Sequence, residues 1–189
     1  HIFDPVFTGL GIGAPLRVSA EVPEHNEKVW PHWEIVHYEF PGTALTAGDT
    51  IRATWYDGGK MPPRPEELPE GRRMGDDSGG ALYIGSKGKI MQGTYGNGVQ
   101  IMPEDLKPKD TEQPRLTQHH ENWILACKGE ETARSNFTYA GPLAEIVLLG
   151  NAALRAGEPI EYDAQTMTIT NVPDANTYLN PPRREKWGA

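Results

Sequence analysis

Trp33-Glu34-Ile35-Val36-His37-Tyr38-Glu39-Phe40-Pro41-Gly42, followed after seven residues by Thr50-Ile51-Arg52-Ala53-Thr54-Trp55-Tyr56-Asp57-Gly58-Gly59, reads as two β-strands with their stops. Both runs are rich in β-branched and aromatic side chains, which suit a pleated, half-buried surface, and each closes on residues that favour turns. Alternate residues of a strand point to opposite faces, so Trp33, Tyr38, Trp55 and Tyr56 cannot all meet one layer of helices. The sheet is therefore expected to carry large aromatic side chains on a second face, of a kind that another subunit or domain covers.

Working outward, Leu16 to Val22 alternates, with Leu16, Val18, Ala20 and Val22 on one side and Arg17, Ser19 and Glu21 on the other, as a half-buried strand does. Residues 60–75 form a polar, proline-rich loop. Ala81 to Ile84 and Lys89 to Gln92 flank Gly85-Ser86-Lys87-Gly88, a hairpin signal, and Val99 to Met102 follows a glycine-rich link. Two helices come next. Thr117 is placed to cap one, whose apolar stripe is His120, Trp123, Ile124 and Cys127, closing at Gly129. The other is expected from Gly141-Pro142 to Gly157, with Leu143, Ile146, Val147, Gly150, Ala153 and Leu154 in one stripe that Leu148 and Leu149 widen, so it should be largely buried. Ile160 to Tyr162 and Met167 to Thr170 make a last hairpin, and Pro181-Pro182-Arg183-Arg184 opens a polar tail. Strands joined by short turns and followed by long helices give an α+β fold, an open, mainly antiparallel β-sheet with helices packed on one face.

At the other end, Ile2, Phe3, Val6, Phe7 and Leu10 fall at helical spacing, with Gly9, Gly11 and Gly13 as stops. A helix with no lead-in suggests a chain cut from something longer, the alternative being the frayed terminus of a complete small protein. The 189 residues and 37% hydrophobic content suit one domain. Lys and Arg number 18 against 26 Asp and Glu, and the net charge of -8 repels phosphate backbones and anionic lipid, which argues against nucleic acid and membrane as partners. No stretch comes near the roughly 20 apolar residues of a membrane span. One cysteine, Cys127, excludes an internal disulfide framework and leaves the compartment open.

Motifs that carry chemistry are mostly absent. Gly9-Leu10-Gly11-Ile12-Gly13-Ala14 imitates a dinucleotide fingerprint, but that motif needs a strand before it and a helix after it, and here the order is inverted, so it reads as a helix stop. The six histidines include no H-E-x-x-H; His32 and His37 are expected on opposite faces of a strand, and His119 and His120 should diverge by about 100° on a helix, so no zinc site is expected. His120 reads as a packed residue beside Trp123. No G-x-S-x-G marks a serine hydrolase, and Gly75-Asp76-Asp77-Ser78-Gly79 reads as an Asp-rich turn before a strand.

The opening His1-Ile2-Phe3-Asp4-Pro5 resembles the end of the signature G-G-G-x-x-x-D-x-G-x-H-x-x-D of the glucose-fructose oxidoreductase / inositol dehydrogenase (Gfo/Idh/MocA) family. Further stretches, Pro31 to Pro41, Thr54 to Lys60, Ile84 to Gly88, Asn136 to Leu143 and Ile160 to Asp163, look in the same order like one bacterial branch of that family, so the resemblance spans nearly the whole chain. It implies a single C-terminal substrate-binding and oligomerisation domain over residues 1–189, with the Rossmann domain outside this chain. It implies hydride transfer between a sugar or cyclitol hydroxyl and NAD or NADP, the cofactor being held mainly by the absent domain, so that the fragment alone is inactive.

By the same resemblance His1 is the catalytic acid/base, a role that suits an imidazole because its ordinary pKa of about 6.5 lies near working pH. Asp4 is the candidate substrate-binding residue, or else a solvent-facing carboxylate of the first helical turn. In the family the open sheet face commonly builds a dimer or tetramer, which implies self-association. Two further readings remain open: an NAD-dependent glycosidase of the same family, and a non-catalytic sugar-binding or assembly module. The branch often carries a twin-arginine export signal, so a periplasmic or secreted setting stands beside a cytoplasmic one.

Overall fold

The computed structural model of the chain describes residues 1–26, 28–109 and 112–183. In chain order the elements are α1 (Phe3–Leu10), β1 (Arg17–Glu21), β2 (Ile35–Pro41), β3 (Thr50–Tyr56), β4 (Gly80–Ile84), β5 (Lys89–Gly93), β6 (Gln100–Met102), α2 (His119–Lys128), α3 (Phe137–Ala156), β7 (Ile160–Asp163), β8 (Thr168–Ile169) and α4 (Asn176–Leu179). The fold is α+β with open antiparallel sheets, as the sequence implies. The strands divide into a five-stranded sheet, β3-β2-β1-β7-β8, and a three-stranded sheet, β4-β5-β6. Contacts divide the chain in the same way, into one compact unit of His1–Ile2 with Glu66–Ala144 and another of Phe3–Pro65 with Glu145–Ala189.

In the five-stranded unit the register sorts side chains by character. Val18 lies opposite Tyr38 and Ile160, Val36 opposite Trp55, and Phe40 opposite Ile51. Val18, Val36, Tyr38, Phe40 and Ile160 are buried, each contributing roughly 1.5–3 kcal/mol of apolar burial. Helices α1 and α3 cover this face. Phe3 meets Tyr38 edge-on at 5.4 Å and stacks on Trp55 at 6.4 Å, while Gly150 of α3 lies against Tyr38 and Val36. The carboxamide of Asn176 pairs with both backbone groups of Ile169, at 2.8 Å each, and so occupies the short edge strand β8.

The opposite face differs from the aromatic one expected. Tyr38 and Trp55 both lie on the helix-covered side, and Trp33 precedes β2, where the Lys60 ammonium sits 4.2 Å from its ring centre. Only Tyr56 of the four takes the open side, in register with Ile35. Arg17, Ser19, Glu21, His37, Glu39, Arg52, Thr54 and Glu161 fill the rest, because β1, β2, β3 and β7 each alternate apolar with polar in phase. That face is charged.

In the three-stranded unit Leu68, Met91 and Met102 form the core, with Met74 and Leu82 packed against it. Gly85 donates to Gly88 at 2.8 Å and closes the expected hairpin. Helix α2 is rotated from its expected setting. Trp123 is 66% exposed, and His120, Ile124 and Cys127 also face solvent, whereas Asn122 is buried. The reason is polar: the Asn122 amide donates to Glu131 Oε2 at 2.7 Å and to the Thr132 carbonyl at 3.1 Å, and its oxygen accepts from Arg134 N at 3.0 Å. Thr117 does not cap this helix; its hydroxyl donates to Glu131 Oε1 at 2.7 Å.

Helix α3 starts one turn earlier than expected, at Phe137, because Asn136 caps it: Asn136 Oδ1 accepts from Tyr139 N at 3.2 Å. Pro142 therefore lies inside the helix. With 20 residues and a mean hydropathy of 1.2, α3 is long and apolar enough to cross a bilayer by length and composition, which corrects the view that no stretch comes near that. Ile146, Leu149 and Leu154 are buried in the protein, whereas Val147 and Leu148 are exposed. Of the polar tail, Arg184 lies outside the described residues.

Candidate functional site

Two glycine-bounded turns build the ground beneath His1. The first spans Gly75 to Gly80 and closes where Asp76 N donates to the Gly79 carbonyl at 2.7 Å. The second spans Gly93 to Gly98 and closes where Gly93 N donates to the Asn97 carbonyl at 2.8 Å. The carboxylate of Asp76 ties them together, accepting from Ser78 N at 2.9 Å, Thr94 N at 2.9 Å and the Thr94 hydroxyl at 2.8 Å. These donors hold its pKa below the ordinary aspartate value, the Thr94 hydroxyl first among them. Gly93 carries no side chain because the Asp76 carboxylate stands where its Cβ would go. Arg73 braces the first turn, pairing with Asp77 and donating to the Asp76 carbonyl at 2.6 Å.

Onto this ground the chain start is laid. Ile2 packs on Gly79, where an added Cβ would come within 2.9 Å of Ile2 Cδ1 and where φ is +132°, a value that favours glycine. The His1 imidazole is exposed and tilted at 55° to the Tyr95 ring, with the centroids 5.1 Å apart. Tyr95 is 69% exposed. An exposed imidazole beside an exposed aromatic ring can exchange a proton with a bound hydroxyl while the ring takes the apolar side of the same molecule. The second residue expected in the site, Asp4, is half-buried in the first turn of α1, belongs to the five-stranded unit and has an interaction of its own.

Sequence reasoning missed Tyr95 and the anchoring part of Asp76. The only signal was the pair of glycine-rich turns, of which the first was read as a turn and no more. The histidines of α2 also differ from expectation, since the rings of His119 and His120 meet at 4.7 Å instead of diverging. Among the described residues no group of three or more His, Cys, Asp or Glu side chains is placed to hold a metal ion.

The five-stranded unit holds two further polar features. Glu34, half-buried at the start of β2, has one carboxylate oxygen buried without a hydrogen bond; burial raises its pKa, Asp57 adds to the rise, and a hydrogen bond with Trp30 opposes it. A shallow groove of about 400 Å³ lies over the open sheet face, with Arg17, Glu39, Glu161 and Tyr162 in its wall. Neither His1 nor Asp4 lines it.

A nicotinamide dinucleotide does not fit the Gly9–Ala14 run as folded. The run follows α1 and leads into β1, and Gly11, at φ +61°, ends the helix, so no helix amino terminus faces it for pyrophosphate. Residues 66–189 match the family model described as the oxidoreductase family, C-terminal alpha/beta domain (Gfo/Idh/MocA). No curated protein matches the chain.

Proposed function

The chain belongs to the Gfo/Idh/MocA oxidoreductase family, whose C-terminal alpha/beta domain it carries, and on that premise we propose that it is the substrate-facing part of a NAD(P)-dependent enzyme acting on a sugar or cyclitol hydroxyl. The cofactor would be held outside these residues and would supply the hydride acceptor or donor. This chain's contribution is the proton. His1 takes it from the substrate hydroxyl as that carbon is oxidised, or returns it to the oxygen in the reverse direction. Tyr95 covers one side of the same molecule.

The observation that carries the reading is the setting of His1: an exposed imidazole at an exposed tyrosine ring, on two turns that Asp76 locks together. The same setting would serve a glycosidase that works through transient oxidation, since both reactions begin by taking a proton from a hydroxyl. A module that only binds sugar would need the ring and not the imidazole. The charged open sheet face supports self-association, the remaining part of the proposal.

Replacing His1 by Ala in the full-length enzyme tests whether His1 carries the proton. Turnover should fall by about 10²-fold or more, the usual weight of a general acid/base, while the affinity for NADH measured by fluorescence titration stays within about twofold. Unchanged turnover would remove His1 from the mechanism.

A further inference from the structure

The start of β2 and the end of β3 bring two carboxylates together. Ile35 lies opposite Tyr56, and the Asp57 amide donates to the Glu34 carbonyl at 3.0 Å, so the register runs on by one pair and sets Glu34 opposite Asp57. Directly opposed residues share a face, with their Cβ atoms about 4.5–5.5 Å apart. By alternation this face also carries Val36, Tyr38 and Trp55, the side that the helices cover. There one oxygen of Glu34 is buried without a hydrogen bond.

Like charges directly opposite each other destabilise a strand pair, and a buried charge without a donor is costly as well. Both penalties fall on Glu34. The surrounding groups relieve them little. Asp57 turns one oxygen to the Gly58 amide, 2.6 Å away, and the Tyr38 hydroxyl is itself driven upward in pKa by the Glu34 charge. The cations of this region lie over aromatic rings, the Arg155 guanidinium of α3 5.1 Å from the Trp30 ring centre and the Lys60 ammonium 4.2 Å from that of Trp33. Trp30 offers Glu34 a hydrogen bond, which weighs less than burial and less than Asp57. Asp57 cannot yield, because its turn is pressed onto the preceding segment: a Cβ at Gly58 would overlap the His32 carbonyl and Trp33. Glu34 is the member that can move.

A single proton removes both penalties, since on Glu34 it neutralises the buried oxygen and leaves Asp57 the one charge of the pair. We propose that Glu34 and Asp57 form a proton-operated latch: with a proton on Glu34 the two stay side by side and Trp30 is held at the sheet end, and loss of that proton turns Glu34 out to water and frees the Trp30 indole. Burial first, and then Asp57, raise the pKa of Glu34, which sets the change above the ordinary glutamate value of 4.5. The closed state is therefore favoured fully below 4.5, and the advantage is lost as the pH rises through the folded value. Opening also parts Trp30 from Arg155, in the last turn of α3.

The test uses the full chain with isotope-labelled tryptophan indoles, the Trp30 signal being the one lost in Trp30→Phe. Its chemical shift should titrate with a midpoint above 4.5, Glu34→Gln should abolish that titration, and Asp57→Asn should bring the midpoint down. Above the midpoint, saturation transfer from water to this indole proton should exceed that in Glu34→Gln at the same pH, since the neutral amide keeps the latch shut throughout. A midpoint at or under 4.5, or a titration that survives Glu34→Gln, overturns the proton on Glu34. A midpoint unmoved by Asp57→Asn overturns the pairing, and equal saturation transfer in the two chains overturns the release.

Discussion

Asp76 shows how one side chain sets a site without touching a ligand. Its carboxylate accepts from two turns at once, from Ser78 on one side and Thr94 on the other, and the turn bearing Thr94 also presents Tyr95 to His1. Because those donors favour the charged form, its folded pKa lies below the ordinary value of 3.8. The sign follows from linkage: a depressed carboxylate stabilises the fold fully above its unfolded value, and that contribution is lost as the pH falls from 3.8 through the folded value. Asp76→Asn keeps the shape but turns an amide donor toward the backbone donors. Melting followed by circular dichroism should place the variant below the parent chain at pH 7, with the gap narrowing at pH values under 3.8. An equal gap at pH 7 and pH 3 would show that charge on Asp76 is irrelevant. None of this was legible in the sequence beyond the turn itself, because pairing Asp76 with Thr94, and His1 with Tyr95, depends on distances in space between residues far apart in the chain.

At the scale of elements, periodicity located the strands and helices well and misjudged which way some of them face. For β1 the alternation of apolar and polar residues is enough, since a strand has only two faces; for β2 and β3 it suggests a large aromatic second face, whereas Tyr38 and Trp55 share the helix-covered one. A helix can rotate, and α2 turned its Asn122 inward because three hydrogen bonds to the Glu131–Arg134 segment awaited it, leaving Trp123 outside. In helix α3 the expected stripe holds at Ile146, Leu149, Gly150, Ala153 and Leu154 but fails at Val147 and Leu148, which face solvent, so the helix is less buried than expected; its start lies at the Asn136 cap and not at Pro142, although proline favours a first turn. Its buried half contains a sharp test. Glycine to alanine in a helix ordinarily stabilises by about 0.5–1 kcal/mol. At Gly150 the added methyl falls on the hydroxyl of Tyr38, which is 4% exposed and hemmed in by Phe3 and Phe40, so overpacking of about 1–3 kcal/mol should win. Urea denaturation of Gly150→Ala should show a net loss of order 1 kcal/mol, and adding Tyr38→Phe, which removes the obstructing oxygen, should recover part of it. A more stable Gly150→Ala chain would mean that α3 does not bear on Tyr38 as described.

At the scale of the whole molecule two electrostatic effects compete, and ionic strength separates them. The α+β class was legible from the order of elements, and the resemblance carried by His1-Ile2-Phe3-Asp4 and the stretches after it agrees with the family match over residues 66–189. On the open face Arg52, Glu39, Arg17 and Glu161 stand in one row of alternating charge across β3, β2, β1 and β7, and this row was not legible, because it needs the register of four strands, one of them beginning only at residue 160. Two copies of a chain with net charge -8 repel each other over the Debye length, which shrinks from about 30 Å at 0.01 M salt to about 8 Å at 0.15 M. Arg-to-Glu contacts across a sheet interface act over a few ångströms, with water partly excluded, and are screened last. Association should therefore strengthen as salt rises from 0.01 M to about 0.15 M, where the long-range repulsion fades, and weaken again toward 1 M, where the Debye length of about 3 Å reaches the row itself. Sedimentation equilibrium across that range should show a maximum. In Arg17→Glu the attraction is broken and only the repulsion is left to screen, so its curve should rise without turning over; a turnover of the same depth in both chains would mean that the row takes no part in holding the copies together.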